Sequence, residues 1–270
     1  MKRALAIPLP RTGPAAIAIP GPWPTVLSLA SGLAIWELLG RFVITNPVLF
    51  APFSRVLAAA LPLLEGGALW HHIGISMVEF GLGFVIAAAA GVSLGFLLAL
   101  HRASRALLEP WVAILYSSPL VALMPFFILV FGIGIASKVA IVAAVTVIPI
   151  IFNTTSGVRH ADPHLLDVAK VYGCTRWQTL TRVLLPAATP AIMVGLRLGV
   201  GRGLTGVAVG ELFAAQGGLG YLITTAGQSF DTPTLLLGVL IFSLIGVVLI
   251  HLLNRLEAWL MRGLARGDAA

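Results

Sequence analysis

Hydrophobic and polar positions along the chain alternate on a long scale. Six stretches run almost wholly apolar for about 20 residues or more, at about 25–44, 71–100, 107–131, 138–157, 190–212 and 234–254. Each is long enough to cross the hydrocarbon layer of a bilayer as a helix. Prolines, glycines and charges collect between them. Residues 45–70, with Pro47, Pro52, Pro62 and the pair Gly66 and Gly67, read as a loop, and a glycine-rich segment with Gly217, Gly218, Gly220 and Asp231 precedes the last stretch. The third stretch carries Pro119 and Pro125. The pattern predicts an all-α polytopic membrane protein of about six transmembrane helices. Residues 1–24 form a tail, 25–69 the first helix and an external loop, 70–255 the main transmembrane body, and 256–270 a second tail.

One polar interval is more elaborate than a connection needs to be. Within the loop 160–189, Asp162 is placed to cap a helix whose first position is Pro163, where the missing N–H costs nothing. Leu165, Leu166, Val168, Ala169 and Tyr172 give that helix an apolar side, and Gly173 supplies its stop. Thr175 followed by Gln178 is a capping box that starts a second helix. That helix is expected to end before Pro186, because proline disfavours helical geometry in the residue preceding it. A helix–turn–helix presenting apolar residues outside the membrane suits docking onto a soluble protein.

Composition agrees with a membrane protein: 59% of residues are hydrophobic and 10% charged, against about 25% charged in soluble domains, and the mean hydropathy is +1.01. The single cysteine, Cys174, excludes an internal disulfide. The net charge of +7 reflects loop residues rather than a nucleic-acid surface. With the N-terminus inside, one side of the membrane collects twelve Lys and Arg residues and the other three, Arg41, Arg55 and Lys138. The positive-inside rule therefore puts both termini and the loop 160–189 in the cytoplasm. Prolines interrupt residues 1–24 too early for the apolar core of a signal peptide.

Few ionisable residues fall within the apolar stretches, and a charge there faces a cavity or a partner by default. Arg202 lies nearest mid-span. It either lines a path for an anionic solute or makes a structural pair, with Glu211 of a neighbouring chain or Glu79 of the second span as the acid. Arg197, nearer the cytoplasmic end, is placed to snorkel. Gly195, Gly199, Gly203, Gly206 and Gly210 form a small-residue stripe that serves close packing either between two copies or within one. The GxGxxG match at Gly201–Gly206 lies inside a span, where a dinucleotide fingerprint has no strand to follow. Scattered histidines without a Cys or acidic cluster give no metal site, and no residue pairing suggests catalysis. No phosphate-binding GxxxxGK[ST] loop occurs, so any ATP is bound elsewhere. Attachment at both ends to spans, and the apolar residues of its first helix, disfavour a DNA-binding role for the helix–turn–helix.

Asp167, Val168 and Ala169, then Gly173, then Leu185 and Pro186, resemble the "EAA" loop of bacterial ABC-importer permeases, in which the first residue is usually Glu and the second Ala. The substitutions here keep an acid and an apolar side chain. Gly132–Lys138, Pro149–Thr154, Gly157–Arg159, Asp162 with Pro163, Arg176 with Trp177 and Gln178, and Glu211–Tyr221 are similar to segments of the sulfonate, taurine, nitrate and bicarbonate permeases. The resemblance covers roughly residues 45–260 and implies a type I importer permease of the inner membrane. It implies partners: two ABC ATPase subunits that hold ATP and Mg, a second copy of this chain, and a periplasmic or lipid-anchored solute-binding protein, with lipid around the spans. It places ATPase coupling on Asp162, Leu166, Asp167, Val168, Ala169, Gly173, Trp177 and Pro186, and leaves Arg202, Glu211, Arg197 and Glu79 for the pathway or for buried charge. A small anion is the expected solute. Alternatives are the same role for a vitamin precursor such as a thiamine pyrimidine, or a secondary transporter driven by an ion gradient.

Overall fold

The computed structural model describes residues 23–267 and is helical throughout its regular elements. The expected N-terminal tail, except its last two residues, and residues 268–270 lie outside the described part. Helix α1 is Trp23–Leu38, continued by a π-turn at Leu39–Val43; α2 is Phe53–Glu65 and α3 is Ala68–Leu100. Then come α4, Arg102–Ser117; α5, Met124–Phe131; α6, Ile135–Arg159; α7, Pro163–Val171; and α8, Arg176–Thr179. The chain closes with α9, Leu185–Ala214; α10, Leu219–Gln228; and α11, Thr232–Gly267. Five helical stretches are long and apolar enough to span a membrane, and α4 with the segment Leu120–Phe131 makes a sixth, bent by 85°.

The middle of the bundle is α6, which lies between α3 and α9 and makes the most extensive packing with both. Glycines on the two flanking helices make that approach possible. A Cβ at Gly91 would come within 2.7 Å of Ile150, and one at Gly95 within 2.5 Å of Thr154. On the other side Gly195, Gly199, Gly203 and Gly206 of α9 lie against Ile150, Thr146 and Val145. The glycine stripe of the fifth span is therefore used within the protomer, where backbone proximity rather than interdigitating side chains sets the helix separation. Val142, Val200, Leu204 and Val207 fill the rest of this core with Phe80.

The structure departs from the sequence pattern in five places. Residues 45–70 are not simply a loop: α2 buries Val56 and packs Ala59, Ala60 and Leu63 against Leu236, Leu237 and Leu240 of α11. That spacing is one face of a helix, and the flanking prolines sit at its N-cap, Pro52, and in its last turn, Pro62. The third span is not continuous. Pro119 holds Ser118 extended, at φ −80° and ψ 141°, and the chain turns there. The second helix of the loop does not stop before Pro186. It runs on through a π-turn at Leu180–Leu184, in which Leu185 N–H donates to Leu180 O, and continues as α9 with Pro186 and Pro190 inside. The wider turn spares the proline ring the clash that a regular i−4 carbonyl would impose. Finally, the expected tail from 256 continues as α11 to Gly267, and the glycine-rich segment contains the short helix α10.

Candidate functional site

The loop 160–189 has the caps its sequence calls for. Asp162 accepts from His164 N–H at 2.9 Å, and Gln178 Oε1 accepts from Thr175 N–H at 2.8 Å while Thr175 Oγ1 accepts from Gln178 N–H at 3.2 Å. Gly173 has φ +66°, the left-handed conformation that glycine adopts without penalty, and Cys174 N–H reaches back to Ala169 O at 2.9 Å. The apolar residues of α7 divide between two faces. Ala169 is buried, and Leu166 packs with Leu180 on the cluster of Val158, Leu184, Ala188 and Ile192. Leu165, Val168, Val171 and Tyr172 point out, the last two more than 80% exposed, and Trp177 is 71% exposed beside them. Asp167 is also outside, paired with Lys170 at 2.9 Å. Pro186 belongs to the lever-like continuous helix rather than to this surface.

Glu79, Lys138 and Glu211 come together between α3, α6 and α9, whereas Arg197 and Arg202 lie apart from them. Glu79, on α3, pairs with Lys138 of α6 at 2.7 Å, both side chains nearly inaccessible. The sequence pattern places Lys138 as an external loop charge; it is instead the buried partner of the second span. Glu211, on α9, accepts from Ser76 Oγ at 2.6 Å and from the N–H of Gly220, while Ser76 Oγ accepts from Leu219 N–H at 2.8 Å. With Gly218 N–H donating to His72 Nδ1 at 3.1 Å, the first turn of α10 is gripped by side chains of α3 and α9. Gly218 has φ +108°, and a Cβ there would overlap the Glu211 carboxylate, so the grip requires glycine. Ser76, Lys138 and His72 were missed by sequence reasoning, since no periodicity links them to the acids. Arg197 does more than snorkel: it donates to Glu257 at 2.6 Å and Asn254 at 2.8 Å on α11.

Within the protomer Arg202 pairs with neither Glu79 nor Glu211. Its guanidinium lies over the Tyr116 ring at 5.1 Å from the centroid. It lines a cavity of about 270 Å³ with Thr205, Val145 and the broken stretch Ser118–Val121. Among the described residues no group of three or more His, Cys, Asp or Glu residues is arranged to hold a metal ion.

Residues 91–266 match the family described as binding-protein-dependent transport system inner membrane component. The chain is 34% identical over 231 residues to a putative aliphatic sulfonates transport permease protein, SsuC, of Bacillus subtilis, covering 85% of this chain and 83% of that protein. It is 33% identical over 244 residues to the riboflavin transport system permease protein RibX of Chloroflexus aurantiacus, covering 89% and 91%. Its fold is similar to a chain of the MetNI methionine ABC transporter, with a TM-score of 0.56 at 22% identity, over 75% of this chain and 98% of that one.

Proposed function

Because the chain belongs to the binding-protein-dependent transport system inner membrane components, and is thus the non-catalytic, membrane-spanning permease subunit of an ABC importer, we propose that it forms half of a homodimeric pathway for a small anion of the sulfonate kind. A system of this family works with an ATPase and a solute-binding protein. In the proposed assembly two ATPase subunits, carrying ATP and Mg, dock on the loop 160–189 from the cytoplasm, where both termini also lie. A periplasmic or lipid-anchored binding protein delivers the solute from the other side.

The observation that carries this reading is the split face of α7. Leu166 and Ala169 anchor it to the bundle, leaving Leu165, Val168, Val171 and Tyr172 unpartnered on a helix held by caps at its start and by Gly173 at its end. Such an apolar face on a rigid short helix fits a groove on a soluble partner. Movement delivered there passes into the single helix that runs from Arg176 to Ala214 and carries Arg202 and Glu211. Val168→Asp, on the outward face, is expected to lower co-purification of the ATPase at least tenfold in detergent while leaving the permease monodisperse. Undiminished co-purification and uptake would refute the docking role.

The solute reading is supported by the similarity to a putative aliphatic sulfonates transport permease. A second reading, a vitamin or vitamin precursor, is favoured by the near-equal identity to the riboflavin permease. Calorimetric titration of the cognate binding protein with taurine, alkanesulfonates, nitrate, bicarbonate, riboflavin and a thiamine pyrimidine separates them. Binding of an anion supports the first; binding of a heterocycle alone moves the chain to the second.

A further inference from the structure

A guanidinium at mid-span needs a counter-charge, and among the described residues this chain has none paired with Arg202. Of its ten acidic residues, four on the spanning helices are engaged: Glu37 with Arg41, Glu79 with Lys138, Glu257 with Arg197, and Glu211 with Ser76 and the Gly220 N–H. Glu65, Asp162, Asp167, Asp231 and Asp268 lie at helix ends, in loops or in the terminal segment. Glu109 is on α4, seven residues before the Tyr116 that Arg202 covers, hence about 10 Å away along the helix axis. A second copy related by a two-fold axis along the membrane normal presents the same acids at the same depths with the same engagements. The acids already engaged in one protomer are therefore engaged in both.

Two further features coincide with this residue. Arg202 is solvent-accessible in the protomer and opens on the cavity of about 270 Å³ rather than into packed side chains. The opposite wall is the break at Ser118 and Pro119, and non-helical backbone at membrane depth is tolerated where it borders a water-filled space or is buried in protein. Cavity, broken helix and uncompensated cation occupy one place. At about 270 Å³ this half-open cavity has room for a small solute.

We infer that Arg202, held over Tyr116 at the break in the third span, is the anion-binding residue of the solute pathway, with its counter-ion supplied by the transported oxyanion. The inference rests on the importer reading and names the residue on which an anionic solute depends. Tyr116 holds the guanidinium beside the cavity, and an arginine there can give two parallel hydrogen bonds to a sulfonate, carboxylate or nitrate, which lysine cannot reproduce.

The test uses the whole transporter, permease with its ATPase and binding protein, in proteoliposomes, with radiolabelled taurine, ethanesulfonate and nitrate as probes and riboflavin as the neutral control. Arg202→Gln is expected to lower anion uptake at least tenfold, and Arg202→Lys to lower it less. Anion uptake by Arg202→Gln within twofold of wild type overturns the inference and leaves the importer reading intact. Wild-type transport of riboflavin and of no anion defeats the anion reading itself. Should Arg202→Gln fail to assemble with the ATPase, Thr205 decides. It lies three residues on, on the same helix face, so Thr205→Asp gives Arg202 a fixed counter-charge. Uptake by Thr205→Asp is expected at least tenfold below that of Thr205→Asn, and equal uptake by the two overturns the inference.

Discussion

Replacing Lys138 by methionine removes one half of the pair that joins α3 to α6. Its Nζ sits 2.7 Å from Glu79 Oε1, and the two side chains are 6% and 2% accessible, so water cannot take over the lost contact. The Glu211 carboxyl group lies beside Glu79, so the substitution removes the cation next to two buried acids. Breaking a buried pair from one side costs about 3–5 kcal/mol, whereas replacing both partners by apolar residues of similar volume is often neutral or stabilising. For a chain of this size 1 kcal/mol corresponds to roughly 2–4 °C in Tm, which gives a fall of roughly 6–20 °C for Lys138→Met. The double variant Glu79→Leu with Lys138→Met is expected to recover most of it. Thermal unfolding of the purified permease in detergent, followed by tryptophan fluorescence and by the monodisperse fraction on size exclusion, measures both. A single variant melting within 2 °C of wild type, or a double variant as unstable as the single, would show that the pair does not hold the two helices together.

Other substitutions probe separate parts of the fold. Gly91→Leu forces a side chain onto Ile150, which a Cβ alone would approach to 2.7 Å, and is expected to destabilise the bundle by about 1–3 kcal/mol; unchanged melting would mean that α3 and α6 separate freely. At Gly173 a Cβ would meet nothing within 4 Å, so the penalty of a side chain comes from φ +66° alone. Gly173→Val is therefore expected to reduce uptake at normal expression, Gly173→Asp to reduce it less, and Gly173→Asn least, since Asn and Asp visit this conformation more readily. Equal uptake across the three, measured with the complete transporter, would remove the backbone conformation from the coupling step.

The spans were legible because a bilayer imposes length and apolarity at once, and the loop caps were legible because Asp162, Thr175, Gln178 and Gly173 act on immediate neighbours. Three of the departures share a physical origin in proline. Pro119 breaks the third span, whereas Pro149 and Pro190 stay inside helices. Local sequence does not reveal which proline has neighbours able to absorb its lost hydrogen bond. Pro52 and Pro62 likewise obscured the helical spacing of Val56, Ala59, Ala60 and Leu63, whose partners lie on the last helix. At the charged positions the sequence identified Glu79, Glu211, Arg197 and Arg202 but not their contacts. Those depend on which helices lie side by side: α3 on α6, α10 on α3 and α9, and α9 on α11.

Four contacts between α3 and α6 fall in a single row. Glu79 meets Lys138, Gly83 meets Val142, Gly91 meets Ile150 and Gly95 meets Thr154, every pair 59 positions apart in sequence. An offset that stays constant over four turns means that the two helices run parallel without drifting out of step. Sliding one along the other would lift every side chain from its glycine notch at once and part the ion pair, with no resting place short of a full turn, about 5.4 Å further on. The two helices therefore translate as one body. Changes of shape during a transport cycle then fall to the joints at its margin: the bend at Ser118 and Pro119, and the turn that leads into α10.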